Sequence, residues 1–215
     1  VQTSPDGINW TIQASAADNE WRGVTWGDGL FVAVAATGTG NRVQTSPDGI
    51  NWTIQASAAD NDWYGVTYGG GLFVAVAITG TGNRVQTSPD GINWTTQASA
   101  ADNDWRGVTW GHGLFVAVAF TGSGNRVQTS PDGINWTTQA SAANSGWFGV
   151  TWGDGLFVAV ASSGTGNRVQ TSPDGINWTI QTSAADNNWL AVTWGDGLFV
   201  AVAASGTGNR VQTSP

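Results

Sequence analysis

The sequence predicts an all-β chain, a five-bladed β-propeller with four antiparallel strands per blade, on three observations. The ten residues Val43–Trp52 recur as Val1–Trp10, Val85–Trp94, Val127–Trp136 and Val169–Trp178, and a sixth copy opens at Val211, always 42 residues on. No window places apolar residues at a 3.6-residue period, whereas short alternating or continuous apolar runs bounded by Gly-rich turns fill every repeat. A lone four-stranded sheet also cannot cover two apolar faces, so the units must stack into one body. The expected domain is 1–215, with blades at about 15–56, 57–98, 99–140, 141–182, and 183–215 completed by 1–14.

Within one repeat the strands read in order. Trp21-Arg-Gly-Val-Thr-Trp26 alternates aromatic and β-branched residues and runs into Gly27-Asp-Gly29, a tight hairpin turn. Leu30–Ala36 is continuously apolar, as a strand covered on both faces must be. After the loop Thr37–Asn41 comes a third strand, Arg42–Ser46, then a turn at Pro47-Asp-Gly49 and a fourth strand, Asn51–Gln55. The first strand is expected to line a narrow water-filled axis. In the second, Leu30, Val32 and Val34 should face one neighbouring blade and Phe31, Ala33 and Ala35 the other, large residues nesting against small ones. Phe115→Ala should then cost about 3–5 kcal/mol through the cavity it leaves.

The third strand is encoded six times and the others five, because the chain opens on a third strand and stops on one. The expectation is a last blade assembled from both termini. Val1–Ser4 should take the contested slot, since its hairpin closes a shorter loop than any long-range pairing, and Val211–Pro215 should be displaced. That predicts a monomer with strand exchange open to it through the redundant Val1–Pro5 or Val211–Pro215 copy. A chain that begins in mid-repeat and without Met reads as a trimmed, processed or engineered product.

Charge narrows the choice of partners. All seven cations are Arg, the net charge is −8, and an acidic chain of this kind repels phosphate backbones and anionic headgroups. Nucleic acid and membrane are therefore not expected, and no apolar run approaches the roughly 18 residues of a membrane span. Cys is absent, which excludes disulfides and thiol chemistry. Hairpin topology puts the turn aspartates Asp6, Asp48, Asp90, Asp132 and Asp174, with Asp28, Asp154 and Asp196, on one face of the disc. The other face balances seven acids against the seven Arg, and Arg42, Arg84, Arg126, Arg168 and Arg210 should pair there with loop residues of the Asp18 kind, except where Asn144 breaks the series.

Ser4-Pro-Asp-Gly-Ile-Asn-Trp10 and its copies resemble the Asp-box, the Ser-x-Asp-x-Gly-x-Thr-Trp turn between the third and fourth strands of sialidase-type blades. The turn here is one residue shorter, with Asn9 in place of Thr. The whole unit is similar to bacterial repeats that join Gly-x-Gly-Leu-Phe-Val-Ala-Val to Ser-Pro-Asp-Gly-x-x-Trp-Thr. The resemblance implies a propeller fold and says little of activity. Sialidases of that fold need three converging arginines, a Tyr with a Glu partner, and an Asp acid. This chain has one Glu (Glu20), two Tyr (Tyr64 and Tyr68) and a single His112, set in a turn without an evident partner. No catalysis, cofactor or metal is expected; each turn offers one carboxylate.

Three columns vary between repeats: Arg22, Tyr64, Arg106, Phe148 and Leu190; Ala36, Ile78, Phe120, Ser162 and Ala204; Glu20, Asp62, Asp104, Gly146 and Asn188. Beside them runs a constant ring of Trp21, Trp63, Trp105, Trp147 and Trp189. Indole faces next to Arg and Asn suit a sugar, so these Trp and the five Arg42-type residues are the candidate ligand-binding set, for glycans, in a multivalent lectin-like module. The alternative is a recently amplified or engineered scaffold with no dedicated ligand, and a sialidase-like glycosidase is a distant third.

Overall fold

The computed structural model describes residues 1–215, and every element in it is a strand. A hairpin of β1 (Gln2–Thr3) and β2 (Thr11–Ile12) precedes four four-stranded antiparallel sheets. The first is β3 (Trp21–Gly27), β4 (Leu30–Ala35), β5 (Val43–Ser46) and β6 (Thr53–Gln55). The second is β7 (Trp63–Gly69), β8 (Leu72–Ala77), β9 (Val85–Ser88) and β10 (Thr95–Gln97). The third is β11 (Trp105–Gly111), β12 (Leu114–Ala119), β13 (Val127–Ser130) and β14 (Thr137–Gln139). The fourth is β15 (Trp147–Gly153), β16 (Leu156–Ala161), β17 (Val169–Ser172) and β18 (Thr179–Gln181). A three-stranded sheet of β19 (Trp189–Gly195), β20 (Leu198–Ala203) and β21 (Val211–Ser214) ends the chain.

The connection between each first and second strand is a two-residue turn with positive φ at both positions, such as Asp28 (φ 48) and Gly29 (φ 75). That conformation matches the right-handed twist of the flanking strands and explains why Asp, Gly or His precedes an invariant Gly there. First strands of successive sheets pack on one another, β3 on β7, β7 on β11, β11 on β15 and β15 on β19, which converges them on a common axis.

The hydrophobic core lies between sheets rather than within one. Val32, Val34 and Val43 of one sheet close on Trp63, Phe73, Ala75 and Ala77 of the next. The same set recurs with Val74, Val76 and Val85 against Trp105, Phe115, Ala117 and Ala119, and twice more along the chain. The predicted division of the second strand into a Leu/Val face and a Phe/Ala face therefore holds. Glycine makes the approach close enough. A Cβ added at Gly111 would overlap the Trp152 ring of the neighbouring sheet, and Gly27, Gly69 and Gly153 meet Tyr68, Trp110 and Trp194 in the same way.

The closure expected at the termini does not form. Val211–Ser214 fills the third-strand slot beside β20, register Val202 to Val211, while β1 pairs with β2 alone. The order is the reverse of that expected from loop closure. The short connection Ala204–Arg210 delivers β21 to β20 as a local hairpin, and it places four residue pairs where β1 and β2 form two. No packing like that of β15 on β19 joins β19 back to β3, so the sheets form an unclosed array.

Candidate functional site

The expected sugar platform is not a surface. Trp63, Trp105, Trp147 and Trp189 have 0% exposure. Each indole N–H is satisfied by a carbonyl four residues earlier, Ala59, Ala101, Ala143 and Ala185. Burial between sheets removes the stacking faces, so these four Trp are core. Trp21 makes the same bond to Ala17 and is half-buried because no complete sheet stands before it.

The five arginines act as clamps across the sheet junctions. Arg42 Nε donates to the Gly38 carbonyl and Nη1 to the Ala36 carbonyl, which fixes the loop of its own sheet. Nη1 also reaches Asp62 Oδ1 at 2.8 Å on the next sheet, with Asp60 at 3.7 Å. Arg84 repeats this with Asp104 and Asp102, and Arg168 with Asp186 and the Asn188 amide oxygen. Asp60, Asp102 and Asp186 also accept a loop N–H, from Gly40, Gly82 and Gly166. The predicted pairing is thus present at three positions. The Arg210 side chain bonds only Gly206, and Arg126 has no carboxylate partner.

Arg126 is exceptional because its surroundings changed together. Its carboxylate positions hold Asn144, which accepts from the Gly124 N–H, and Gly146. Gly146 is required there: an added Cβ would stand 2.5 Å from the Phe120 ring. Burial, uncompensated by an acid, pulls the Arg126 guanidinium below its ordinary value. Phe120 in turn packs edge-on to Phe148 at 5.6 Å. The Arg106 guanidinium lies over three rings, Phe148 at 4.6 Å, Tyr64 at 4.7 Å and Phe120 at 5.2 Å. Arg106 makes no ion pair, and its Nε is buried without a partner, whereas Arg22, on the far side of Tyr64, is tied to Glu20. Tyr64 and Phe148 approach to 6.4 Å from sheets that are not neighbours, so aromatic side chains of three sheets meet at this end of the first strands. The three variable columns therefore meet in one asymmetric patch, of which Phe120 and Gly146 are a matched pair. Variation between repeats marked the columns; only packing shows that they converge.

The opposite face is occupied by local bonding. In each Ser-Pro-Asp-Gly-Ile-Asn-Trp turn the Asp accepts from two backbone N–H groups, for example Asn51 and Ile50 on Asp48 Oδ1 at 2.8 Å. It also takes the Asn51 amide and the Ser46 hydroxyl. These bonds, led by the Asn N–H, hold Asp6, Asp48, Asp90, Asp132 and Asp174 far below the usual carboxylate range. The Trp52 indole closes the turn by donating to the Gly49 carbonyl. His112, set at φ 49, stacks on Trp152 at 5.5 Å, a contact not evident in the sequence. Another unforeseen group is the buried glutamine of the third strand. Gln86 Oε1 takes the Ala58 N–H and so anchors the loop leading into its own sheet. No group of three or more His, Asp or Glu is placed to hold a metal.

No protein-family model matches the chain, and no curated protein does. Solved structures do. YCF48 bound to a D1 peptide superposes with a TM-score of 0.65 at 14% identity, covering 96% of this chain and 71% of that one. Virginiamycin B lyase from Staphylococcus aureus gives 0.65 at 14% identity over 93% of this chain and 85% of the lyase. The computationally designed Ika8 protein gives 0.57 at 10% identity, over 94% and 73%. At such identities the likeness is one of fold, and the fold is that of β-propeller blades.

Proposed function

We propose that the chain is a non-catalytic binding scaffold with one recognition patch, built by Arg106, Arg126, Phe120, Phe148 and Tyr64, that takes a carboxylate-bearing polypeptide segment. The observation that carries this reading is that two arginines without acidic partners stand among exposed and half-buried rings at the one place where the repeats diverge together. Guanidinium forks suit carboxylates, and the rings hold an apolar neighbour of the charged group. The D1 peptide held by the structural neighbour YCF48 supports a polypeptide rather than a sugar as ligand. Burial of the Trp ring counts against five equal glycan pockets. The non-catalytic part rests on how the acids are used, since the turn aspartates are engaged in their own turns and Glu20 by Arg22. The same turn bonding supports kinship with Asp-box repeats.

Titration calorimetry with acidic peptides and, in parallel, simple sugars tests it. Saturable, salt-sensitive heat with acidic peptides, lost in Arg106→Gln and weakened in Arg126→Gln, is expected. Binding that survives Arg106→Gln, a saturable response to sugars, or silence across both panels would overturn it, the last leaving the scaffold without a ligand.

A further inference from the structure

The four junctions inside the chain define what a covered sheet looks like, and two faces of the molecule match that description without being covered. On the last sheet Leu198 and Val202 are 40% and 46% exposed, whereas Val34, Val76 and Val118, the counterparts of Val202, are sealed. On the first sheet Val24 and Trp26 are 63% and 52% exposed, whereas Val108, the counterpart of Val24, lies in the core. The two faces are the halves of one junction.

Polar groups match in the same sense. Clamp arginines pair with the acids 18 and 20 residues on, as Arg42 does with Asp60 and Asp62. Carried around the repeat, the partners of Arg210 are Asp18 and Glu20; Arg210 and Asp18 make no ion pair in the single chain. Aromatic groups match too. Phe31, Phe115 and Phe157 each have the Trp that precedes the fourth strand at 6.5 Å, namely Trp52, Trp136 and Trp178, and Trp94 packs on the core that holds Phe73. Phe199 has none, and it borders a cavity of about 690 Å³ where its sheet lacks a fourth strand. Trp10, in the hairpin that has no first or second strand, is 57% exposed. Gly195 is open space, while each of its four counterparts carries the aromatic ring of the following sheet.

We propose that these faces bind each other between copies, so that the chain associates head to tail with a second copy of itself. The β1–β2 hairpin of one copy completes the β19–β20 sheet of another, Trp10 entering beside Phe199, Trp26 covering Gly195, and Arg210 meeting Asp18. The strand displaced is β21, which is mostly exposed and held by one edge. Association in trans leaves the first three internal junctions as they are and fills the cavity at the fourth, which β16 and β20 line. Closure in cis would bend all four, because in their present geometry β19 does not reach β3. One residue resists. Gly23, Gly65, Gly107 and Gly149 let the next first strand approach so that an added Cβ would lie 2.5–3.0 Å from its carbonyl oxygen, and the fifth position is Ala191. Its methyl group must hold the joint open by a few tenths of an ångström.

Sedimentation velocity across a concentration series reads the outcome. Wild type should populate species heavier than the 22.3 kDa chain as concentration rises. Gly195→Leu, whose side chain points into open space in the single chain, should weaken association about tenfold or more with its melting temperature as a dilute single chain kept. Arg210→Asp should weaken it less and be rescued by adding Asp18→Arg, and Ala191→Gly should strengthen it. A 22.3 kDa species alone at every concentration, whether open or closed on itself, would overturn the proposal. So would association indifferent to Gly195→Leu and to the Arg210–Asp18 exchange.

Discussion

The third sheet and the last one are spelled with nearly the same letters and have different fates. Val116, Val118 and Val127 are sealed beneath Trp147 and Phe157, whereas their counterparts Val200, Val202 and Val211 face solvent wholly or in part. Nothing in those residues differs; what differs is whether a following sheet is present. Burial in this molecule is a property of the junction, and stability should be close to a sum over nearest neighbours.

The largest expected effect breaks that comparison directly. Trp105→Ala empties a site in the core of an inner junction and should cost about 3–5 kcal/mol in chemical denaturation, while Trp21→Ala, half-buried at the open end, should cost clearly less. Equal costs would mean that the ends are as well packed as the middle. Next comes a glycine pair. Gly111→Ala drives a methyl group into the Trp152 ring and should cost about 1–3 kcal/mol, whereas Gly195→Ala meets nothing and should leave the melting temperature of the dilute chain nearly unchanged.

Acid should act on all the turns together, with a smaller effect per turn. The turn aspartates have lower pKa values folded than unfolded, so the folded state takes up protons less readily. Their contribution is complete above the unfolded value of about 4 and drains away as pH falls below it toward the depressed folded value. Denaturant midpoints measured between pH 7 and pH 2 should be flat and then fall below about pH 4, and Asp132→Asn should shallow the fall. The smallest effect is expected at His112, in a turn with φ 49. Asn tolerates that conformation, so the gain from relieved backbone and the loss of the Trp152 stack should cancel for His112→Asn to within about 0.5 kcal/mol.

Much of the fold was legible in the sequence because repetition reports it redundantly. The order of the strands, the Asp28-Gly29 turns, the two-faced second strand and the Arg42–Asp60 pairing follow from one repeat and are checked by the others. The slot won by Val211–Ser214 was not legible, since both candidate strands carry the same residues and only the connection through Ala204–Arg210 separates them. The burial of the Trp ring was not legible either, for a physical reason. An invariant Trp beside polar residues describes a sugar platform and an inter-sheet core equally well, and the indole bond to a carbonyl four residues earlier, as in Trp105 to Ala101, is decided by packing. Arg106 and Phe120 were visible as variation, but their convergence with Tyr64 and Phe148 needs the arrangement of three sheets about one axis.

The central claim is that equal junctions leave the first and last sheets apart. Cys is absent from the sequence, so spin labels at Thr39→Cys and Thr207→Cys, in corresponding exposed loops of the first and last sheets, report on it without interference. Pulsed dipolar spectroscopy, with labelled chain diluted into unlabelled chain, should give a distance longer than that of the neighbouring reference pair Thr165→Cys and Thr207→Cys. A distance equal to the reference would place the two sheets side by side in a ring closed within the chain and contradict the account.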